Sequence, residues 1–167
     1  MPDAQSSPIP PPGSRPRWRD LGWLVVYGMR ALFELVRARL AFARLAAADI
    51  VARNEAAARA ARAPRRGHNA AMLARIAYVI PRLSARLPWR SDCVIQAIAA
   101  QNWLAAKGLP SEIRIGVERP EATGFGAHAW LVHGEDVVTG GDIARYVVLL
   151  SSEQVGEKFS PPGPRTS

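Results

Sequence analysis

Hydrophobic positions recur every three or four residues along the first part of the chain, a spacing typical of amphipathic helices. Between about Trp18 and Arg62 there is no proline, and leucines and valines alternate with arginines at this spacing. The pattern predicts one long helix, or two helices broken near 46–49. A further helix is predicted over about 70–80, and Pro81 allows it to continue with a kink.

After Arg90 the pattern changes to that of one helix followed by short strands. Ser91 is a favourable N-cap residue, and the largely apolar segment behind it stops at Gly108 and Pro110, which predicts a helix. Alternating or short apolar segments then predict strands and a final apolar segment, at 113–117, 127–132, 137–138 and 143–150. A turn is predicted at 133–136. One helix beside a small antiparallel sheet indicates an α+β fold class.

The chain is long enough, at 167 residues, for one domain with a packed core and tails. Proline and polar residues at the start predict a disordered tail, because such a segment buries too little apolar area to become ordered. We expect four parts: a proline-rich tail at 1–17, an amphipathic helical lead at 18–69, a core at 70–150 and a loose tail at 151–167. A proline- and glycine-containing turn is predicted at 63–69, and a loop at 119–126.

The net positive charge arises entirely in the first half of the chain. Up to Arg90 there are 16 basic and 5 acidic residues, and after it 6 basic and 9 acidic, consistent with the net charge of +8. A basic region of this kind can bind nucleic acid, an anionic membrane surface or an acidic partner. Arginines scattered among alanines and leucines are also typical of a solvated helix face, and we favour that interpretation, with no nucleic acid as partner.

The apolar face of the first helix is wider than a narrow stripe. Trp23, Val26, Tyr27 and Phe33 broaden it. Three interpretations follow: burial against the C-terminal part, a partner-binding face, or peripheral contact with a membrane surface. Burial is the interpretation that we favour, and membrane contact stays open as an alternative.

Cysteine content and the start of the chain bear on the compartment. Cys93 is the only cysteine, so no internal disulfide exists, which is typical of a reducing compartment. No secretory signal pattern is apparent, and the charge-free run at 21–29 is shorter than the roughly 20 residues that span a bilayer. A cytoplasmic protein is expected, soluble or peripherally attached to a membrane.

The lone thiol stands where a nucleophile is readily activated. Cys93 follows the predicted N-cap Ser91 by two residues, so it falls in the first turn of its helix. Unpaired amides and the positive end of the helix dipole favour a thiolate there. The alternative is that a free cysteine simply acts as a small buried apolar residue.

Among three histidines, His128 is the best placed to act as a base. It lies on a predicted strand, where it shares a face with Trp130. His133 falls in the predicted turn and His68 in a basic break far from the strands. One cysteine and three histidines show no close ligand-pair spacing, so neither a metal nor another cofactor is expected.

A third group has to hold the imidazole in its useful tautomer. Asp142 returns beside His128 if the short strand before it pairs with the His128 strand. Asp136 is the alternative, although an aspartate at the tip of a hairpin is ordinarily solvated. We favour Asp142.

The order Cys, strand, His, strand, Asp is that of transglutaminase-like and papain-like thiol enzymes. Within that group the sequence resembles the lasso peptide biosynthesis B2 proteins, which are leader peptidases. The resemblance covers about 70–150. It rests on Leu-Pro-Trp-Arg-Ser-Asp-Cys at 87–93, Ala-Ala-Lys-Gly-Leu-Pro at 105–110, Ile-Arg-Ile-Gly-Val at 113–117, Ala-His-Ala-Trp at 127–130, Gly-Gly-Asp at 140–142 and Arg-Tyr at 145–146.

The resemblance implies a transglutaminase-like core, in which a helix bearing cysteine packs on a small sheet bearing histidine and aspartate. It implies a peptidase with Cys93 as nucleophile, His128 as base and Asp142 as orienting group. Backbone amides near Cys93 are the natural oxyanion donors. Side-chain helpers remain open among Trp89, Gln96 and Gln101.

The implied partners are a precursor peptide with leader and core, a separate leader-recognition protein and an asparagine-synthetase-like lasso cyclase. Two alternatives of function remain beside this interpretation. One is a transglutaminase-like enzyme that transfers amides with the same triad. The other is a non-enzymatic basic helical module that uses its arginines for binding, namely Arg37, Arg39, Arg44, Arg53, Arg65 and Arg66.

Overall fold

A computed structural model describes residues 21–44, 47–60, 70–89, 92–118 and 126–150. The helices in these ranges are α1 (Leu21–Phe42), α2 (Ala47–Ala60), α3 (Ala70–Ser84) and α4 (Cys93–Ala106). The strands are β1 (Glu112–Glu118), β2 (Ala127–His133), β3 (Asp136–Thr139) and β4 (Tyr146–Leu150). The predicted tails, the turn at 63–69, nearly all of the loop at 119–126, and His68, Arg65 and Arg66 lie outside the described residues.

The helical lead forms two helices, α1 and α2, as one of the two predicted arrangements had it. The third helix continues through Pro81 to Ser84, and the Ala85 amide donates to the Pro81 carbonyl at 3.0 Å. Proline lacks the amide hydrogen of an ordinary helix residue, but its carbonyl still accepts. Within the described ranges, none of the helices has both the length and the apolar character needed to cross a bilayer.

Helix α4 lies at the centre of the molecule, between the sheet on one side and α1 with α3 on the other. A helix that is apolar on all sides is one that other elements cover, and α4 has this composition. Its buried residues are Ile95, Ala97, Ile98, Ala99, Ala100, Gln101, Trp103 and Leu104. Ala31, Leu35 and Ala38 of α1 join the same core, and Trp23 and Tyr27 pack against it, so the predicted burial of the first helix is confirmed for this face. It is wrong for Val26 and Phe33, which are 66% and 53% exposed.

The four strands form one antiparallel sheet in the order β3-β2-β1-β4. Strands β2 and β3 form the predicted hairpin, although the turn is 134–135 and not 133–136, because His133 ends β2 and Asp136 begins β3. The final apolar segment becomes β4, an edge strand that pairs with β1. The predicted α+β fold class is confirmed.

Both faces of β2 are covered, which is why it reads as a nearly continuous apolar run. Leu131 belongs to the core that includes α4, while Trp130 lies on the other face with His128. On that face Gly116 of β1 stands opposite His128. A Cβ atom at Gly116 would lie 2.5 Å from the Val147 carbonyl oxygen and 2.9 Å from the Trp130 ring. Glycine is required there because backbone and indole fill the space.

Candidate active site

Cys93 is the first residue of α4, and its side chain is partly exposed. Asp92 is the N-cap residue, with extended backbone, and its carbonyl accepts the Gln96 amide at 3.1 Å. The prediction that Ser91 caps this helix is corrected, since Asp92 takes that position and Ser91 lies outside the described residues. Cys93 therefore follows the cap by one residue and not by two. The amides of the first turn have no acceptor within the helix.

The thiol rests against the strand that carries the candidate base. The Ala129 amide donates to Cys93 Sγ at 3.4 Å, and Ala129 directly follows His128 on β2. Within the described residues, the hydrogen bond of the thiol is thus to this amide and not to the imidazole. Two residues that are 36 positions apart in sequence thus meet at the sulfur atom.

His128 is held through one ring nitrogen by the backbone beyond β3. Its Nε2 lies 2.8 Å from the Gly140 carbonyl oxygen. A carbonyl oxygen only accepts, so Nε2 carries the hydrogen and Nδ1 of the neutral ring keeps its lone pair. Gly140 has φ of +114°, and a Cβ atom there would lie 2.3 Å from Trp130 Cβ. Only glycine lets the chain approach closely enough to present this carbonyl to the imidazole.

Two aromatic rings flank the imidazole of His128. The Tyr146 ring stacks on it with centroids 4.7 Å apart and an interplanar angle of 26°. Trp130, which is 1% exposed, lies with its ring centroid 6.1 Å from the imidazole at 24°. Tyr146 belongs to β4 and His128 to β2. Because the Tyr146 ring lies against the imidazole, it restrains the orientation of the imidazole plane. In the sequence Tyr146 stands out only as part of the Arg-Tyr motif at 145–146.

Tyr146 is itself held by a charged pair. The Arg145 guanidinium lies 5.1 Å from the centre of the Tyr146 ring, and its Nη1 lies 3.4 Å from Glu118 Oε1. A hydrogen bond with the Tyr146 side chain, and then the charges of Tyr146 and Glu118, raise the pKa of Arg145 above its ordinary value. Glu118 and Tyr146 also face each other in the β1–β4 register. Glu118 and Arg145 therefore hold the Tyr146 ring in place, and that ring packs on the face of the imidazole.

Asp142 lies two residues after Gly140, near the site but engaged elsewhere. Its side chain is exposed, and Oδ1 accepts the Ala144 amide at 3.0 Å. The strand pairing needed to bring Asp142 back toward His128 is present, since β3 pairs with β2. The hydrogen bond to the imidazole nevertheless comes from the Gly140 carbonyl, and the role of Asp142 as orienting group stays a prediction.

Asp136, the alternative third group, lies at the wrong end of β2. It pairs with His133, five residues along the strand from His128. At about 3.4 Å per residue this separation is about 17 Å, which a carboxylate does not bridge. Asp136 is exposed, as expected for a hairpin residue.

His133 serves the fold: its Nδ1 pairs with the carbonyl oxygen of Pro110 in the segment between α4 and β1. Of the two histidines that the structure describes, His128 is therefore the one beside Ala129, whose amide contacts the thiol.

In the part of the chain that the structure describes, His, Cys, Asp and Glu side chains form no group of three or more suited to hold a metal ion.

The three candidate side-chain helpers differ in what already occupies them. Gln101 is buried and donates to Asn54 Oδ1 at 2.9 Å, so it belongs to the packing of α2 against α4. Gln96 donates to Ser84 Oγ at 3.0 Å. Trp89 has a buried Nε1 that finds no hydrogen-bond acceptor among the described residues. An indole N–H without an acceptor makes Trp89 the strongest of the three candidates.

Comparison with protein families gives a match over most of the chain. A family model described as the transglutaminase-like superfamily matches residues 32–151, a range that runs from within α1 to the end of β4 and includes Cys93, His128 and Asp142. Comparison with curated proteins and with solved structures found no significant match.

Proposed function

This chain belongs to the transglutaminase-like superfamily, and from that premise we propose that it is a cysteine peptidase that removes the leader from a ribosomally made lasso-peptide precursor. The observation that carries the proposal is the contact of the Cys93 thiol with the amide next to His128. It puts a thiol at a helix N-terminus beside the strand that carries a histidine, and a thiol and a histidine are the two groups that nucleophilic catalysis pairs. The choice of substrate is supported by the sequence resemblance to lasso peptide B2 proteins.

The proposed reaction has two steps and consumes one water. Cys93 Sγ, after losing its proton to His128, attacks the scissile carbonyl and forms a carbon–sulfur bond. The carbon–nitrogen bond then breaks, and His128 returns the proton to the amine of the core peptide. Water, deprotonated by His128, hydrolyses the thioester to release the leader carboxylate and restore the thiol.

His128 Nδ1 is the nitrogen that accepts the proton in this scheme, because Nε2 already donates to the Gly140 carbonyl. The thiol and the imidazole must come within hydrogen-bond reach when substrate binds, as catalytic contacts often tighten only then. Asp142 and the Gly140 carbonyl are the two groups proposed to stabilise the imidazolium. Stacking by Tyr146 at 4.7 Å limits rotation of the ring.

The tetrahedral oxyanion needs donors beside Cys93. The first-turn amides of α4 lack acceptors within the helix and are the proposed backbone donors. The buried Nε1 of Trp89, four residues before Cys93, is the proposed side-chain donor. Leader recognition is assigned to the separate protein that the resemblance implies, and macrolactam closure to the partner cyclase.

The test is cleavage of a synthetic precursor by the purified protein with its recognition partner, followed by mass spectrometry. We expect free leader and free core, and at least about a 10⁴-fold lower rate for Cys93→Ala with unchanged thermal unfolding. Cleavage by Cys93→Ala near the parent rate would remove Cys93 as nucleophile. A cross-link to an added amine in place of hydrolysis would favour amide transfer, the alternative within the same superfamily.

A further inference from the structure

Helix α1 has two apolar faces, and only one of them is buried. Ala31, Leu35 and Ala38 are fully buried in the core with α3 and α4. Seven large apolar side chains on the other side are between 38% and 69% exposed: Leu21, Val25, Val26, Met29, Phe33, Val36 and Leu40. At 100° per residue these seven fall within an arc of about 140° on the side opposite the buried residues. We call this set the α1 stripe.

Arginines border the α1 stripe on both edges. On one edge the guanidinium groups of Arg30 and Arg37 lie 5.6 and 5.5 Å from the centre of the Phe33 ring. The helical spacing puts Arg39, which is exposed, on the opposite edge. Glu34 is the single acidic residue of α1 and is fully buried between Arg30 and Arg37, at 2.6 and 3.3 Å. Arg30 and Arg37 thus share one buried carboxylate, and with Arg39 on the other edge the border keeps a net positive charge.

We propose that the α1 stripe docks on the surface of an anionic lipid bilayer. An apolar centre with a cationic border matches the acyl boundary and the anionic headgroups of such a surface. A second copy of the chain fits poorly, because in a two-fold pairing the arginine borders would face each other. The stripe is the convex side of a helix, which a fluid bilayer accommodates without a complementary groove.

Docking through α1 leaves the candidate active site in a different layer of the molecule. Helix α4 separates α1 from the sheet that carries His128. The inference does not rest on the proposed peptidase activity, since it uses only the exposure and charge of α1. Its test is accordingly a binding measurement that is independent of cleavage.

The first measurement is co-sedimentation of the full chain with vesicles of phosphatidylcholine, with and without phosphatidylglycerol. We expect binding to the anionic vesicles only. Val25→Gln/Met29→Gln/Phe33→Gln should weaken it more than tenfold, since the apolar area that inserts is lost. Glutamine is a good helix former and these positions are exposed, so α1 should persist.

A matched control replaces three exposed apolar residues of the sheet: Val137→Gln/Val147→Gln/Leu149→Gln. These side chains are 38–60% exposed but lie outside the stripe, so vesicle binding should be unchanged. Arg39→Gln should weaken binding about fivefold, as expected for one basic residue near an anionic surface. Equal binding by the stripe variant and the parent, or no binding to either vesicle, would overturn the proposal and leave an acidic protein partner as the occupant.

A second measurement locates the contact directly. In a Cys93→Ala background, Met29→Cys or Glu135→Cys gives a chain with one thiol for an environment-sensitive fluorophore. Met29 lies in the stripe, and Glu135 is exposed in the β2–β3 turn. Anionic vesicles should shift the emission of the label at position 29 to shorter wavelength and leave the label at 135 unchanged. A shift at 135 with none at 29 would place the contact on the sheet and contradict the assignment.

Discussion

Two polar clusters bind the helices to the sheet, and they differ in how fully their hydrogen bonds are used. In the first, which we call the Asn54 cluster, the amide of Asn54 pairs with both the N–H and the C=O of Ile113, each at 2.9 Å. Gln101 donates to the same Asn54 oxygen at 2.9 Å, and Arg53 donates to Gln101 and Asn102. Among the described residues, β1 pairs with β4 only from Ile115 onward. Asn54 therefore makes the hydrogen bonds at Ile113 that a strand partner would make.

The second cluster contains Cys93, His128 and the Gly140 carbonyl. Its groups are partly exposed and each makes a single hydrogen bond: Sγ with the Ala129 amide and Nε2 with Gly140. His128 Nδ1 and the thiol proton have no partner of their own within the described residues. Aromatic stacking, and not hydrogen bonding, completes the surroundings of the imidazole.

The difference separates a cluster that specifies the fold from one that retains capacity for chemistry. A buried polar group left unpaired costs about 1–3 kcal/mol, so a structural cluster uses its donors and acceptors fully. The Asn54 cluster carries a cost of its own, because burial, and then the positive charge of Arg37, lower the pKa of Arg53. A reactive pair needs an available lone pair and an available proton, which the Cys93–His128 cluster has.

The largest expected effect is on the reactive cluster. His128→Ala should lower the rate of precursor cleavage by at least about 10³-fold, because no other group takes the proton. His133→Ala is the matched control, on the same strand. It removes the contact with Pro110 and should cost about 1 kcal/mol of unfolding free energy with little change in rate. Single-turnover cleavage and thermal unfolding measure both, and equal rate defects would contradict the assignment of His128 as base.

The second prediction concerns a substitution that removes the hydrogen bonds of the Asn54 cluster. Asn54→Ala leaves the buried N–H and C=O of Ile113 without their partner, and we expect a loss of about 3 kcal/mol in unfolding free energy. Glu55→Ala, at the neighbouring exposed position of α2, removes only a surface pair with Arg59 and should cost less than about 0.5 kcal/mol. Denaturant unfolding gives the values. Full stability of Asn54→Ala would show that the cluster does not hold α2 to β1.

The third prediction tests which group orients His128 in the reactive cluster. If Asp142 does so, Asp142→Asn should lower the cleavage rate about a hundredfold with little change in precursor binding. Asp136→Asn, at the far end of β2, should leave the rate unchanged. The measurement is single-turnover cleavage with the recognition partner present. A rate for Asp142→Asn within about twofold of the parent would assign the orienting role to the Gly140 carbonyl alone.

The smallest expected effect concerns the stacking ring. Tyr146→Ala should lower kcat about fivefold and leave KM unchanged, as an aromatic pair contributes about 1 kcal/mol. Tyr146→Phe keeps the ring over His128 but loses the hydroxyl that bonds to Arg145, so it should restore kcat. If alanine and phenylalanine at this position gave the same rate, stacking would not be what positions the imidazole.

The amino-acid sequence determined those features that depend on local geometry. A period of 3.6 predicted the helices and alternation predicted β1, because each periodicity reflects the backbone of one element. Short apolar segments on either side of a turn predicted the β2–β3 hairpin. The placement of Cys93 at a helix start and His128 on a strand followed from the same patterns. The helix start was wrong by one residue, since Ser91 and Asp92 are both good caps and only the packed chain chooses between them.

Tertiary structure alone decided how distant segments meet. The last apolar segment carries no sign in its own residues that it pairs with β1, yet that pairing brings Tyr146 onto His128. The Gly140 carbonyl, as a backbone group, has no signature in the sequence beyond a glycine. Asn54 appeared only as a polar residue on a helix, and its partner lies 59 residues away. Such contacts depend on sheet order and register, which arise when the whole core packs and not from any local pattern.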